Sequence, residues 1–297
     1  MANSTGDTPQ GLGFALGAYF LWGFLPLYMK MLAHVGPAEV VAHRVIWSVP
    51  IAGVLLVALG RTRDVRAALS NPRMLAMSCL TAMLITVNWG VYVWAIAEGR
   101  ALDAALGYYI NPLFSVALGA IFLRERPSPA QSVAIALAAC AVAVLTISAG
   151  TVPWVALALT VSWGFYALCK KQLPIGPNQG FMLEVLILLI PALAYVTWLG
   201  LNGQGQFLAG DMGTTWLLLG CGAVTAIPLI LYANGAKGLR LSTIAVLQYI
   251  APTMIFLVAV FAFGEEFGQA RMIAFPMIWA ALVIYSVSIV RQMRAAV

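Results

Sequence analysis

Charge is scarce in this chain. Of its 297 residues only 9% are Asp, Glu, Lys or Arg, while 62% are hydrophobic. A soluble domain carries roughly a quarter charged residues, so this composition leaves too little polar surface to face water. Histidine is scarcer still: there are two, and no HExxH pattern, which removes a common zinc-hydrolase signature. No paired carboxylates fall at mid-membrane depth, and this argues against an intramembrane enzyme. A Walker motif is missing too, so direct use of ATP is excluded. The four cysteines, Cys79, Cys140, Cys169 and Cys221, all lie in apolar segments without CxxC or other metal spacing. They imply neither a disulfide framework nor a metal site, and no cofactor is expected. Residues 1–10 hold no Lys or Arg, and the first apolar run ends at Lys30 without a small-residue cleavage pattern. The first helix is therefore expected to be retained.

What remains is a series of long apolar runs. About 20 mostly apolar residues span the hydrocarbon core as a helix. Segments that satisfy this fall near 12–32, 38–59, 74–97, 102–123, 129–148, 153–169, 179–200, 214–236, 241–263 and 272–290. The fifth and sixth are parted only by Ser148-Ala149-Gly150-Thr151, so one long helix, and nine spans, is the alternative. The net charge of +6 arbitrates. With ten spans and the N-terminus inside, the inner loops collect Arg61, Arg63, Arg66, Arg73, Arg124, Arg126, Lys170, Lys171, Lys237, Arg240, Arg291 and Arg294. The outer loops keep only Arg100 and Arg271, with Lys30 near an outer end. Positive residues stay on the cytoplasmic side, so both termini are expected there. Basic clusters between apolar runs write topology, and nucleic acid is not expected as a partner. The stretch from Arg61 to Arg73 reads as an anchor to anionic lipid.

Shifting the chain by 140–141 residues brings it onto itself. Trp22-Gly23-Phe24 meets Trp163-Gly164-Phe165, Lys30 meets Lys171, and His43 meets Glu184. Pro50 meets Pro191, Tyr92 meets Tyr232, and Arg100 meets Arg240. Tyr109-Ile110-Asn111-Pro112 meets Tyr249-Ile250-Ala251-Pro252, and Glu125 meets Glu265. The fold class expected is therefore all-α and polytopic, with ten transmembrane helices in two five-helix repeats, 1–148 and 149–297. Five is odd, so the second copy enters the membrane from the opposite side. Inverted repeats are a transporter architecture.

The segments Ala18-Tyr19-Phe20-Leu21-Trp22-Gly23, His43-Arg44-Val45-Ile46-Trp47-Ser48, Gly107-Tyr108-Tyr109-Ile110-Asn111-Pro112-Leu113 and Gln248-Tyr249-Ile250-Ala251-Pro252-Thr253 closely resemble the RarD-like branch of the EamA family. That family belongs to the drug/metabolite transporter superfamily. The resemblance runs over essentially the whole chain. It implies an inner-membrane carrier with a central cavity lined mainly by the third, fourth, eighth and ninth spans. The YddG-type aromatic amino-acid exporters are the functional analogue. A broad drug or metabolite exporter of the same architecture is the alternative, since fold likeness does not fix cargo.

Polar side chains at membrane depth usually face a cavity or a partner. Asn88 and Tyr92 share a helix face at i and i+4, as do Tyr108, Asn111 and Ser115. Gln248 and Tyr249 repeat the theme beside Pro252, and the eighth span offers Thr225, Pro228 and Tyr232. Trp22 and Trp163 lie about ten residues into their spans, too deep for the interface belt. These are the candidate substrate contacts; the competing reading is that they tie helices together. Pro112 and Pro252 are candidate shared bends. His43, Arg44 and Glu184 are the intramembrane charges, either coupling groups or structural pairs. His43 and Glu184, as repeat mates on opposite sides, are not expected to touch. The partners foreseen are an amino-acid-like small molecule and membrane lipid, with the chain acting as a monomer.

Overall fold

A computed structural model of the chain describes residues 8–122, 124, 126–209, 211–239 and 241–295. Glu125 and Arg240, both members of the repeat, lie outside these residues. The described residues form helices α1 (Pro9–Met31), α2 (Pro37–Ala58), α3 (Thr62–Leu69), α4 (Pro72–Ala97), α5 (Ala101–Phe122), α6 (Pro129–Ala149), α7 (Trp154–Gln172), α8 (Pro177–Leu201), α9 (Met212–Lys237), α10 (Leu241–Leu247), α11 (Ile250–Leu257) and α12 (Gln269–Ala295). A π-helical turn, Val258–Ala262, continues α11.

Local chemistry sets the helix starts. Thr8, Asn71, Ser128 and Asp211 each accept a bond from a free first-turn amide, and proline occupies the first turn of α1, α4 and α6. An amide with no partner one turn back is satisfied by the cap, and proline has none to lose. Hydrogen bonds from Thr214 hold the Asp211 carboxyl below the usual carboxylate range. Its contribution to α9 is therefore present above that range and lost only in acid.

Eight of these helices are long and apolar enough to cross a membrane, and the stretches 154–170 and 250–262 are shorter apolar helices. Together they account for the ten expected spans. Gly150, at φ +66°, ends α6 in the left-handed region, so the short turn divides the fifth and sixth spans and the nine-span alternative fails. Apolar side chains point outward: Ile147, Ile190, Leu201 and Phe261 are each more than three-quarters exposed. Lipid is the solvent that accepts such a surface.

Two elements depart from expectation. The basic stretch after α2 folds as the amphipathic α3, which buries Val65 and Ala68 and leaves its arginines exposed. The ninth span is not one helix, because the chain turns at Gln248 and Tyr249 between α10 and α11. Pro252 thereby falls in the first turn of α11, where its missing N–H breaks no helical bond. Its repeat mate Pro112 sits inside the continuous α5. The two prolines do not make a shared bend.

Packing follows the repeat. α1 rests on α9, and their repeat mates α7 and α4 rest on each other. α5 packs on α7, as α11 does on α1; α2 packs on α8, and α6 on α12. These principal neighbour pairs thus map onto one another when the two halves are exchanged. The α2–α9 crossing is tight, and a Cβ built on Gly222 would overlap the Trp47 carbonyl. Small residues of this kind let membrane helices approach. Gly222→Ala is expected to cost about 1–3 kcal/mol, as overpacking does. Gly17→Ala, whose nearest neighbour is 3.7 Å away, should be tolerated. Thermal unfolding of the two variants in detergent checks this.

Candidate functional site

The second, fourth, fifth and ninth helices meet around Arg44. This side chain is 4% exposed, yet no carboxylate reaches it among the described residues. Nε donates to the Thr225 hydroxyl at 3.0 Å, and the guanidinium carbon stands 4.4 Å from the Trp89 ring centroid. Nη1 has no hydrogen-bond partner. A cation–π contact contributes about 0.5–2 kcal/mol, against several for desolvating an ion. The site thus holds an imperfectly compensated positive charge. Tyr92, one turn from Trp89 on α4, packs on Tyr108 of α5. Their rings are 5.9 Å apart.

Asn88 sits behind the two tyrosines and is fully employed. Its Nδ2 donates to the Leu159 carbonyl at 3.1 Å and to the Ser162 hydroxyl at 3.0 Å, while Oδ1 accepts from the Tyr108 hydroxyl at 3.3 Å. It ties α4 to α5 and α7, which favours the tethering role for this residue. The Tyr92 hydroxyl, the Ser48 hydroxyl and Asn111 Oδ1 are buried without a partner.

The remaining candidates form separate groups. Trp22 and Tyr232 join Tyr19 in an aromatic cluster between α1 and α9, with centroids 5.7–5.9 Å apart. Trp163 packs on Tyr166 at 5.6 Å. Gln248 and Tyr249 occupy the α10–α11 turn, and Ser115 is exposed. A groove lined by Leu21, Phe24, Leu25, Tyr28, Ala223, Val224, Ile227 and Pro228 also opens between α1 and α9. Leu21 and Phe24 are about half exposed there, so it is an apolar, lipid-facing feature. The charged centre lies elsewhere.

Known proteins point the same way as this geometry. The EamA-like transporter family matches residues 9–147. Protein RarD of Streptomyces exfoliatus is 42% identical over 284 residues, covering 96% of this chain and 90% of its own length. An uncharacterized transporter of Vibrio cholerae is 39% identical over 290 residues, with 98% and 96% covered. The chain belongs to the EamA-like transporter family, in its RarD-like branch. A crystal structure of a protein 19% identical to it superposes with a TM-score of 0.61, over 95% of this chain and 98% of the other. That likeness concerns the fold alone.

As an EamA-family membrane transporter, the chain closes one of its other intramembrane charges, Glu184, and leaves His43 partly satisfied. Glu184 in α8 accepts from Lys170 Nζ at 2.5 Å and from the Tyr166 hydroxyl at 3.2 Å. His43 Nδ1 accepts from the Trp47 indole at 3.0 Å, and its ring stacks 4.7 Å from Phe207. His43 Nε2 has no partner. No contact joins His43 to Glu184, as their repeat relation implied. Sequence reasoning missed Trp89, Lys170, Tyr166 and Phe207 as the partners of these groups. Lys170 stands 14 residues from Glu184 and was assigned to a loop, so no local spacing signalled the pair.

One end of the bundle is strongly tied. Glu265 accepts from the amides of Ala101 and Leu102 at 2.6 and 2.9 Å, so it caps α5 from across the molecule. Burial pushes its carboxyl above the usual range, while those two amides pull it back. Lys30 donates to the last carbonyls of α4, Ile96 and Ala97, at 3.4 and 3.5 Å. Arg100 and Arg271 both pair with Asp103, at 2.7 and 3.1 Å. Glu39 accepts from the amides of Gln206 and Phe207, fixing the α8–α9 loop over α2. Among the described residues, no group of three or more His, Cys, Asp or Glu is placed to hold a metal.

Glu184→Gln should leave Lys170 buried without its counter-ion and cost about 3–5 kcal/mol. The double substitution Glu184→Leu with Lys170→Met should recover most of that. Unfolding midpoints of Glu184→Leu, Lys170→Met and the double variant, taken as a cycle with the unsubstituted protein, measure the coupling.

Proposed function

We propose that the chain is a secondary transporter that exports amino acids or related small metabolites by alternating access. The observation that carries this reading is the buried centre shared between the halves. Arg44, Trp89, Tyr92 and Tyr108 come from the first half and Thr225 from the second, and the Arg44–Thr225 bond crosses between them. Aromatic walls with a few fixed donors suit a small molecule that has an apolar body and a polar head. The exchangeable packing supports treating 1–148 and 149–297 as inverted repeats that rock about this centre. The lysine and arginine distribution supports cytoplasmic termini in a bacterial inner membrane. Two halves in one chain that complete a single site favour a monomer. Trp22, Asn111, Trp163, Tyr232, Gln248 and Tyr249 belong in this reading to the walls that move as the halves exchange. Glu184 acts as a positioning residue within its closed pair, and His43, held through Nδ1 by the Trp47 indole, as a second one.

Counterflow in liposomes tests the activity. Unlabelled amino acids should compete with a labelled one, while competition by cationic drugs alone points to the broad exporter instead. Tyr92→Ala should lower the uptake rate at least fivefold without loss of folded protein, and unchanged kinetics removes Tyr92 from the site. Topology has its own check. Tags after Gly60 and after Gly200 should be accessible from opposite faces of the membrane, and accessibility from one face sinks the inverted arrangement.

A further inference from the structure

Among the described residues each buried carboxylate is matched. Asp103 is held by two arginines, Glu184 by Lys170 and Tyr166, and Glu39 by two backbone amides. Arg44 alone combines near-complete burial with a free donor and no carboxylate. The other partnerless groups of this centre are the Tyr92 hydroxyl, the Ser48 hydroxyl one turn along α2, and Asn111 Oδ1. The two hydroxyls can donate, and Asn111 Oδ1 is a lone acceptor with no charge to offset the guanidinium. A group that accepts several hydrogen bonds and carries negative charge is what this set lacks, and a carboxylate supplies both.

We propose that Arg44 is the anion anchor of the transport site, its free Nη1 pairing with the carboxylate of a small cargo whose apolar part lies against Trp89, Tyr92 and Tyr108. This rests on the transport reading above and narrows it. The anchor selects for a carboxylate; with no free carboxylate at the centre among the described residues, a cargo ammonium finds no ionic partner there. Recognition follows the negative charge. A monocarboxylate binds more tightly than its uncharged amide, and an organic cation of the same shape is rejected by the guanidinium.

Three probes of one shape test the anchor on the full chain in detergent: phenylacetate, phenylacetamide and phenethylammonium. Thermal unfolding and the change in tryptophan emission, to which Trp89 is one of nine contributors, give the apparent affinities. Phenylacetate should bind saturably and at least tenfold more tightly than the other two. Arg44→Met fills the volume without charge and should abolish the difference between acid and amide. Arg44→Lys retains charge and should keep the preference in weakened form. An equal or absent response to acid and amide in the unsubstituted protein overturns the anchor, and this comparison stands whether or not Arg44→Met folds. Acid preference that persists in Arg44→Met overturns it as well. Reconstitution separates the two readings: selective binding of the acid without counterflow of any carboxylate sinks transport alone. Counterflow that is undiminished in Arg44→Met sinks the anchor alone.

Discussion

Lipid offers no hydrogen bonds, and this constraint shapes the molecule. Each backbone group, helix end and charge must find its partner within the protein, or it becomes costly by several kcal/mol. Most of the chain meets the demand locally, through unbroken helices and side-chain caps such as Ser128 with Gln131. Where the local solution ends, distant residues take over. The α5 amides are capped by Glu265, more than 160 positions away, and the α4 carbonyls are met by Lys30. These long-range caps explain why charges at the tied end of the bundle are clustered rather than dispersed.

Against that background the centre stands out through what it leaves unmet. Arg44, Tyr92, Ser48 and Asn111 retain free polar atoms together, and among them only Arg44 carries a charge. A protein optimised for stability alone would fill this place with apolar side chains. A transporter needs groups whose partners come and go with the cargo. The same logic separates Glu184 from Arg44. Both are intramembrane charges, but Lys170 closes the first, and nothing comparable closes the second.

The repeat is reproduced in packing more faithfully than in detail. Neighbour relations exchange between halves, yet Pro112 lies in an unbroken helix while Pro252 starts a new one after a turn. A π-helical turn follows the broken span and has no counterpart in α5. His43 and Glu184 occupy matching positions but meet an indole and an amine respectively.

The spans, the inverted relation and the basic loops were legible in the order of the residues, because each is a one-dimensional property: run length, register and charge distribution. The Ser148-Ala149-Gly150-Thr151 turn was visible too, although only the left-handed Gly150 decided it. The amphipathic α3 had a signal in the spacing of Val65, Ala68 and Leu69, hidden beneath the arginines. Tyr92, Tyr108 and Arg44 were each nameable as polar residues in an apolar span, and Asn88 with them. Which of those is tethered and which is free follows from neighbours on other helices, brought close by packing that no local spacing encodes. Sequence alone determined that this chain lives in a membrane as two related halves, since hydrophobicity and periodicity are written locally. Only the tertiary structure decided that Asn88 is a tie, Glu184 half of a pair and Arg44 an unmatched charge, because partnership is a matter of distance in space.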